Sequence, residues 1–348
     1  MKQTGLSVVL VLACTAIALA ADPPYPPSTV ITRLTWDDQI SKVPGVGGDN
    51  WPIAWVDDDL QIAAWGDGGG LSLGMAKVYG NPPEARSEKL DSNANTKGHG
   101  TSAIKTSGLL MVDGTLYMFV RNYRPPGKDF KHSRLGWSTD RGATFTWANW
   151  HFAETFGCPE FVQFSKDYEG ARDSYVYIAS QDNDNSYSFS PRIVMARAPK
   201  DKVADRSTWA FFAGMDSAGK PRWTPDVGKR KPIFEDRKGA QRIAITYNAP
   251  IKRYILTTPH CLDENMKPPG NHTPAFGVFD APEPWGPWTT VYYDDQWGGQ
   301  AKTYHQKFPT KWMSPDGKTL WLIFSGQGGN VYGFYLKKAT LEVTAGQR

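Results

Sequence analysis

Five times along the chain a short apolar run leads into an Asp-Gly, Asn-Ala or similar turn, and a second apolar run follows that ends in a polar cluster. The first runs open at Trp51-Pro-Ile-Ala-Trp-Val, Ser102-Ala-Ile-Lys-Thr-Ser, Phe161-Val-Gln-Phe, Ile243-Ala-Ile-Thr-Tyr and Phe308-Pro-Thr-Lys-Trp-Met. The second runs cover residues 60–65, 115–121, 174–180, 253–258 and 319–325. Short runs of this kind bounded by Gly, Pro, Asn and Asp read as strands, and no segment carries the 3.6-residue period of a long helix. Several strands per repeat, repeated in this way, predict an all-β, five-bladed β-propeller. Residues 29–36 alternate like a strand ahead of the first repeat, while the last repeat shows only three runs, the third at 331–343. The N-terminal strand is therefore expected to complete the last blade, since closing the ring removes two exposed edges.

Two further segments support this fold. Ser138-Thr-Asp-Arg-Gly-Ala-Thr-Phe-Thr-Trp resembles the Asp-box pattern S-x-D-x-G-x-T-F-x-W, and Ser314-Pro-Asp-Gly-Lys-Thr-Leu-Trp is a degenerate copy. In such a turn the Asp side chain holds backbone amides while the aromatic residue packs into the blade. Asp140 and Asp316 are thus read as turn residues, evidence for fold and not for chemistry.

Residues 1–20 do not belong to this pattern. Lys2 precedes an apolar stretch that ends in Ala18-Leu19-Ala20, the form of a cleaved export signal. The expectation is a secreted protein, extracellular or periplasmic, whose residues 21–348 form a single domain without a membrane anchor. The 14 tryptophans and 15 tyrosines suit short, turn-rich strands. A formal charge of +4, of which Lys2 supplies one, is scattered rather than striped, so nucleic acid is a poor partner. The two cysteines beyond the signal, Cys158 and Cys261, are expected to pair as one disulfide in an exported chain. Asn271-His272-Thr273 is a glycosylation sequon.

In a propeller, the start of each first run and the end of each second run ring one mouth. Those slots hold Asp49 and Asp67, His99 with Arg121 and Asn122, Glu160 with Gln181 and Asp182, Arg242 with His260, and His305 with Gln327. The opposite ends hold Asp57-Asp58-Asp59, Asp113-Gly114, Asn248-Ala249 and Asp316-Gly317, which is turn chemistry. Asp49 and Asp67 stand 18 residues apart, one entering an inner strand and the other leaving its neighbour, so folding brings them together. Two carboxylates flanking a bond are what glycosidic cleavage requires, and the adjacent glycines would let a sugar approach the backbone closely. The plainer reading is that Asp67 caps a Gly-rich turn and Asp49 an Asn-Trp bend.

Glu160 is read either as a proton donor or as an ion-pair partner of Arg121 or Arg242. His99, His260 and His305 can titrate near neutrality, but no H-x-x-x-H or C-x-x-C spacing occurs, so neither metal nor cofactor is expected. The Asp182-Asn-Asp-Asn run lacks the remaining ligands of a calcium loop. Trp51, Trp65, Tyr123, Tyr187 and Tyr304 can each stack on a sugar ring or simply pack into a blade.

Five runs carry a resemblance: Asp49-Asn-Trp-Pro-Ile-Ala-Trp-Val-Asp-Asp-Asp, Trp65-Gly-Asp-Gly, Ile243-Ala-Ile-Thr-Tyr-Asn-Ala-Pro-Ile-Lys-Arg-Tyr, Ala281-Pro-Glu-Pro-Trp-Gly-Pro-Trp and Pro309-Thr-Lys-Trp-Met-Ser-Pro-Asp-Gly. Together they make nearly the whole chain resemble the domain-of-unknown-function family 4185, part of which is classed as glycoside hydrolase family 183, endo-D-arabinanases on a five-bladed propeller. That likeness implies two catalytic aspartates, carried onto Asp49 and Asp67, and an arabinan-like substrate. Neither the Asp182 loop nor the cysteine pair matches it.

The expectation is therefore a monomeric, secreted glycoside hydrolase acting on an extracellular or cell-wall polysaccharide. Asp49 and Asp67 would do the chemistry, while Trp51, His99, Arg121, Asn122, Glu160, Asp182, Arg242, His260 and His305 would contact substrate. Two alternatives stand beside it. A polysaccharide lyase would use Arg121 or Arg242 to neutralise a uronate and His99, His260 or Tyr304 as base. A carbohydrate-binding propeller would turn nothing over.

Overall fold

Residues 22–129, 131–267, 272–299, 303–327 and 332–344 are described by the computed structural model. Residues 1–20, read above as an export signal, and the sequon asparagine Asn271 lie outside them. Five antiparallel sheets surround one axis. Ile53–Trp55, Leu60–Trp65, Leu71–Tyr79 and Arg86–Leu90 form the first blade, and Lys105–Val112, Thr115–Tyr123, His132–Ser138 and Thr146–Phe152 the second. The third begins with Glu160–Phe161, Tyr175–Gln181 and Ser190–Pro199, and the fourth runs through Ala244–Asn248, Arg253–Pro259, Phe276–Ala281 and Thr289–Asp294. Tyr304–Lys307, Thr319–Ser325 and Tyr335–Val343 make the fifth, and Ile31–Lys42 pairs with its outer side.

Burial explains why these runs look as they do. Leu60–Trp65, Lys105–Val112 and Arg253–Pro259 are buried along their whole length, because a strand near the axis has a neighbouring blade on each face. Their sequences are correspondingly continuous rather than alternating. Arg86–Leu90, on a blade's outer side, buries only Ser87 and Leu90. Registers such as Lys105 opposite Arg121, Glu160 opposite Ala179 and Tyr304 opposite Ser325 fold each second strand back beside the start of the first. Polar residues at those positions consequently share one face.

The third blade is larger than the repeat suggests. Ala210–Met215 and Pro221–Thr224 extend it, and Pro232–Ala240 pairs with Ser190–Pro199. These strands are short or charged, so their pattern is faint. The N-terminal strand lies against the last blade with Leu34 opposite Leu341 and Ile31 opposite Val343, and it runs on to Lys42 rather than stopping near Trp36. Thr344 N–H donates to the Val30 carbonyl at 3.0 Å beyond the sheet.

The turn face is built as the Asp-box reading expects. Asp140 Oδ1 accepts from Ser138 Oγ at 2.7 Å and from the Thr144 amide at 2.8 Å, and Phe145 is buried. Asp316 accepts from the Lys318 amide at 3.0 Å. Asp57 accepts from the Leu60 amide, and Asp59 from that of Gly80.

The disulfide expectation is wrong: Cys158 and Cys261 are both free and buried. They occupy different surroundings. Cys158 lies beside Arg121, Arg242 and Glu160, whereas the Cys261 amide donates to the Lys238 carbonyl, near Asp236 and Asp263. Burial pushes the Cys261 thiol up to about 12, so it stays protonated and unreactive.

Candidate active site

All five blades send side chains to one pocket of about 190 Å³ at the mouth. Asp49, Asn50 and Asp67 come from the first blade's motif, His99, Gly100, Thr101, Lys105 and Arg121 from the second blade and its approach, and Tyr187 from the third. Arg242 and His272 belong to the fourth blade, Tyr304 and Tyr332 to the fifth. Pockets that enclose drug-sized ligands run to about 300–1,000 Å³, so this one takes a single small unit.

Asp49 and Asp67 are brought together here. Asp49 and Gly66 exchange backbone hydrogen bonds at 2.7 Å, which ties the two motifs into one ladder. Among the flanking glycines, Gly66 and Gly68 serve that join. A Cβ on Gly68 would lie 2.0 Å from the Gly47 carbonyl oxygen, and one on Gly66 2.7 Å from Asp49 Oδ1. Both carboxylates are buried, yet their partners differ. Asp49 accepts from Asn50 Nδ2 and, at 2.9 Å, from the Tyr304 hydroxyl. Asp67 is ion-paired with Lys105 and also accepts from the Gly100 amide. Burial raises the Asp49 pKa above its ordinary value; the Tyr304 hydrogen bond and the Arg121 and Lys105 charges oppose this, and the Asp67 charge adds only a little. Desolvation, and not repulsion between the aspartates, thus sets Asp49 apart.

Beneath the pocket a second layer crosses the axis. Glu160 Oε1, from the third blade, accepts from Lys307 Nζ of the fifth at 2.9 Å, and both are buried. Burial nevertheless lifts the Glu160 carboxyl to about 7 against the pull of Lys307. His305 lies fully buried, and its pKa is driven well below the ordinary value by burial and then by the Arg242 charge. Its surroundings thus disfavour the imidazolium form.

Asn50, Asp67, Asn122, Arg242 and His305 adopt φ of 53°, 44°, 56°, 48° and 55°. Left-handed backbone is uncommon for non-glycine residues and collects at functional sites. Here it recurs at the mouth in four of the five blades.

Six expected contacts do not line the pocket. Trp51 is packed inside, stacked on Phe334 at 4.4 Å, with its indole N–H donating to the Gly333 carbonyl. Asp182 is consumed by Arg192 and Arg230 at 2.8 and 2.7 Å. His260 bonds Asp295 at 2.9 Å and stacks on Tyr293. Asn122 is a support, donating to the Ala103 carbonyl and bonding the Tyr187 hydroxyl at 3.0 Å. Glu160 and His305 lie below the pocket instead of lining it. Conversely, Lys105, Thr101, His272 and Tyr332 escaped the sequence reading. Lys105 carried a usable signal, a lone cation entering a run that is otherwise apolar or small. Among the described residues no group of three or more His, Cys, Asp or Glu converges as a metal site would.

Among solved structures, the chain is similar to a GH43_1 enzyme from Xanthomonas citri, with 11% identity over 87% of this chain and 90% of that one and a TM-score of 0.50. A protein of unknown function from Dyadobacter fermentans shares 10% identity over 90% of this chain and 100% of that one, again at 0.50. An α-L-arabinofuranosidase from Podospora anserina, solved with cellotriose, follows at 11% identity, 92% and 99% coverage and 0.49. At such identities the likeness is one of fold. No curated protein matches the sequence. Residues 35–326, both aspartate motifs included, match the profile of the family described as "Domain of unknown function (DUF4185)", and the chain belongs to that family.

Proposed function

We propose that the protein is a secreted glycoside hydrolase that cleaves a polysaccharide with Asp49 as general acid and Asp67 as general base or nucleophile. One observation carries the reading: two buried carboxylates share a sugar-sized pocket in opposed environments. Asp49 is raised by burial and so favours its protonated, donating form. Asp67 faces an ammonium group that balances a carboxylate. Environments that push paired carboxyl groups apart are how acid and base are assigned in such sites. Tyr304 and Asn50 hold the Asp49 carboxyl in place, and Gly100 and Lys105 hold that of Asp67.

The test is a panel of polysaccharides, arabinan among them, with sizing of the products and the variants Asp49→Asn and Asp67→Asn. Each substitution should lower turnover by about 10²–10⁴-fold. Asp49→Asn should spare substrates with a good leaving group, which need no proton, while Asp67→Asn should not. Near-wild-type turnover in either variant would overturn the assignment. Products carrying an unsaturated uronate that absorbs in the near ultraviolet would establish a lyase instead.

A further inference from the structure

Arg121 and Arg242 reach the pocket from the second and fourth blades with donors left open. Both are at least nine-tenths buried, at 0% and 3% exposure. Arg121 Nε donates to the Thr106 carbonyl and Nη1 to Ser186 Oγ, each at 3.3 Å, but Nη2 has no partner. For Arg242 only the backbone N–H is bonded, to Gln181 Oε1 at 3.2 Å, and its buried Nε finds no acceptor. Neither guanidinium forms an ion pair among the described residues. Aromatic faces hold them instead: Tyr187 lies 5.2 Å from Arg121 and 5.0 Å from Arg242, and Tyr304 lies 5.7 Å from Arg242. Two like charges thus flank one ring.

An arginine buried without an acceptor is costly, because a guanidinium presents five N–H donors that water would otherwise satisfy. The neighbouring aspartates offset the charge through space but leave the donors open: Asp67 is hydrogen-bonded by Lys105, and Asp49 by Tyr304 and Asn50. Three cations, Lys105, Arg121 and Arg242, line the pocket against two carboxyl groups, so positive charge is left over. A monoanion with planar, bidentate geometry answers both the charge and the open donors. A neutral pentose answers neither.

We propose that the sugar unit seated in this pocket is acidic, its carboxylate received by Arg121 and Arg242, so that the substrate is a uronic-acid-containing glycan. The cleavage of that glycan rests on the hydrolase reading above, whereas its binding does not. Arg242 is the anion-binding residue proper; Arg121, held by Thr106 and Ser186, fixes the second donor edge.

The test is calorimetric titration of the full-length mature protein with D-glucuronate and D-galacturonate, their methyl esters, L-arabinose and glucose 6-sulfate. Monosaccharides carry no bond to cleave, so turnover plays no part. A uronate should bind about tenfold or more tighter than its uncharged ester. Arg242→Gln should reduce uronate affinity to that of the ester without lowering Tm, since no side-chain hydrogen bond is lost. Equal affinity for uronates and esters overturns the proposal, as does undiminished uronate affinity in Arg242→Gln. Preference for the sulfate ester over both uronates overturns the carboxylate assignment. Uronate binding without hydrolysis of any polymer would sink the hydrolase reading and leave the acidic subsite standing.

Discussion

Glu160 and Lys307 meet across the axis with almost no access to water, and their pairing has a direct consequence for stability. Burial raises the Glu160 carboxyl from its ordinary 4.5 to about 7. Between those values the folded protein holds a proton that the unfolded chain releases. The stability drawn from this group is complete below about pH 4.5 and is lost as pH climbs through about 7. Urea midpoints should therefore fall from acid to neutral pH, and the double replacement Glu160→Gln with Lys307→Met should flatten that fall. Replacing both members of a buried pair is often close to neutral, whereas Lys307→Met alone strips the carboxylate of its partner and should extend the fall to higher pH. An unchanged slope in the double variant would remove Glu160 as the cause. At this scale the sequence was a partial guide. It marked Glu160 as polar at the mouth and left open an arginine partner. Lys307, two residues past His305 and on the same inner strand, was invisible as that partner because ion pairing across an axis leaves no trace in local spacing.

Strands were the most legible level, for a physical reason. Each inner strand is squeezed between two blades, so its burial writes a continuous apolar run that survives without an alignment. The added strands of the third blade, Ala210–Met215, Pro221–Thr224 and Pro232–Ala240, are partly exposed and leave little such record. The N-terminal strand falls between these cases. Its residues alternate only at Ile31 and Leu34, the positions that face the last blade, and polar residues occupy most of the remainder. Leu34 packs opposite Leu341 in the cluster that also holds Leu320 and Leu322. Leu34→Ala should cost about 2–3 kcal/mol, the range for truncating a buried leucine near a surface. Equilibrium denaturation measures it, and a loss below about 0.5 kcal/mol, the range of ordinary surface substitutions, would mean that the strand adheres by backbone pairing alone.

At the scale of the molecule, the ring geometry is what made the site readable: knowing that strand starts and ends share a mouth was enough to converge Asp49, Asp67, His99, Arg121 and Arg242 on one pocket. The same reasoning overreached with Asp182 and His260, because a strand end fixes the face a residue occupies but not its distance from the axis. Asp182 and His260 sit farther out, where Arg192, Arg230 and Asp295 are waiting. The cysteines failed for the same reason. Loops added another blind spot: Gly100 and Thr101 enter from the segment between the first two blades, and no repeat position foretells how such a connection drapes over the mouth.

The sheet shared by the two ends of the chain also imposes an order of events. Thr32 donates to the carbonyl of Glu342 across 310 residues of sequence, so Ile31–Lys42 has no sheet partner until residues 335–343 have been made. Until then Ile31–Lys42 is an unpaired strand and the fifth blade an incomplete sheet, each with an edge open to other chains. Contacts of such long range are slow to form because loop closure must precede their reward. A nascent chain interrupted anywhere before residue 335 would therefore lack the strand on which Ile31–Lys42 pairs, however many blades it had already completed.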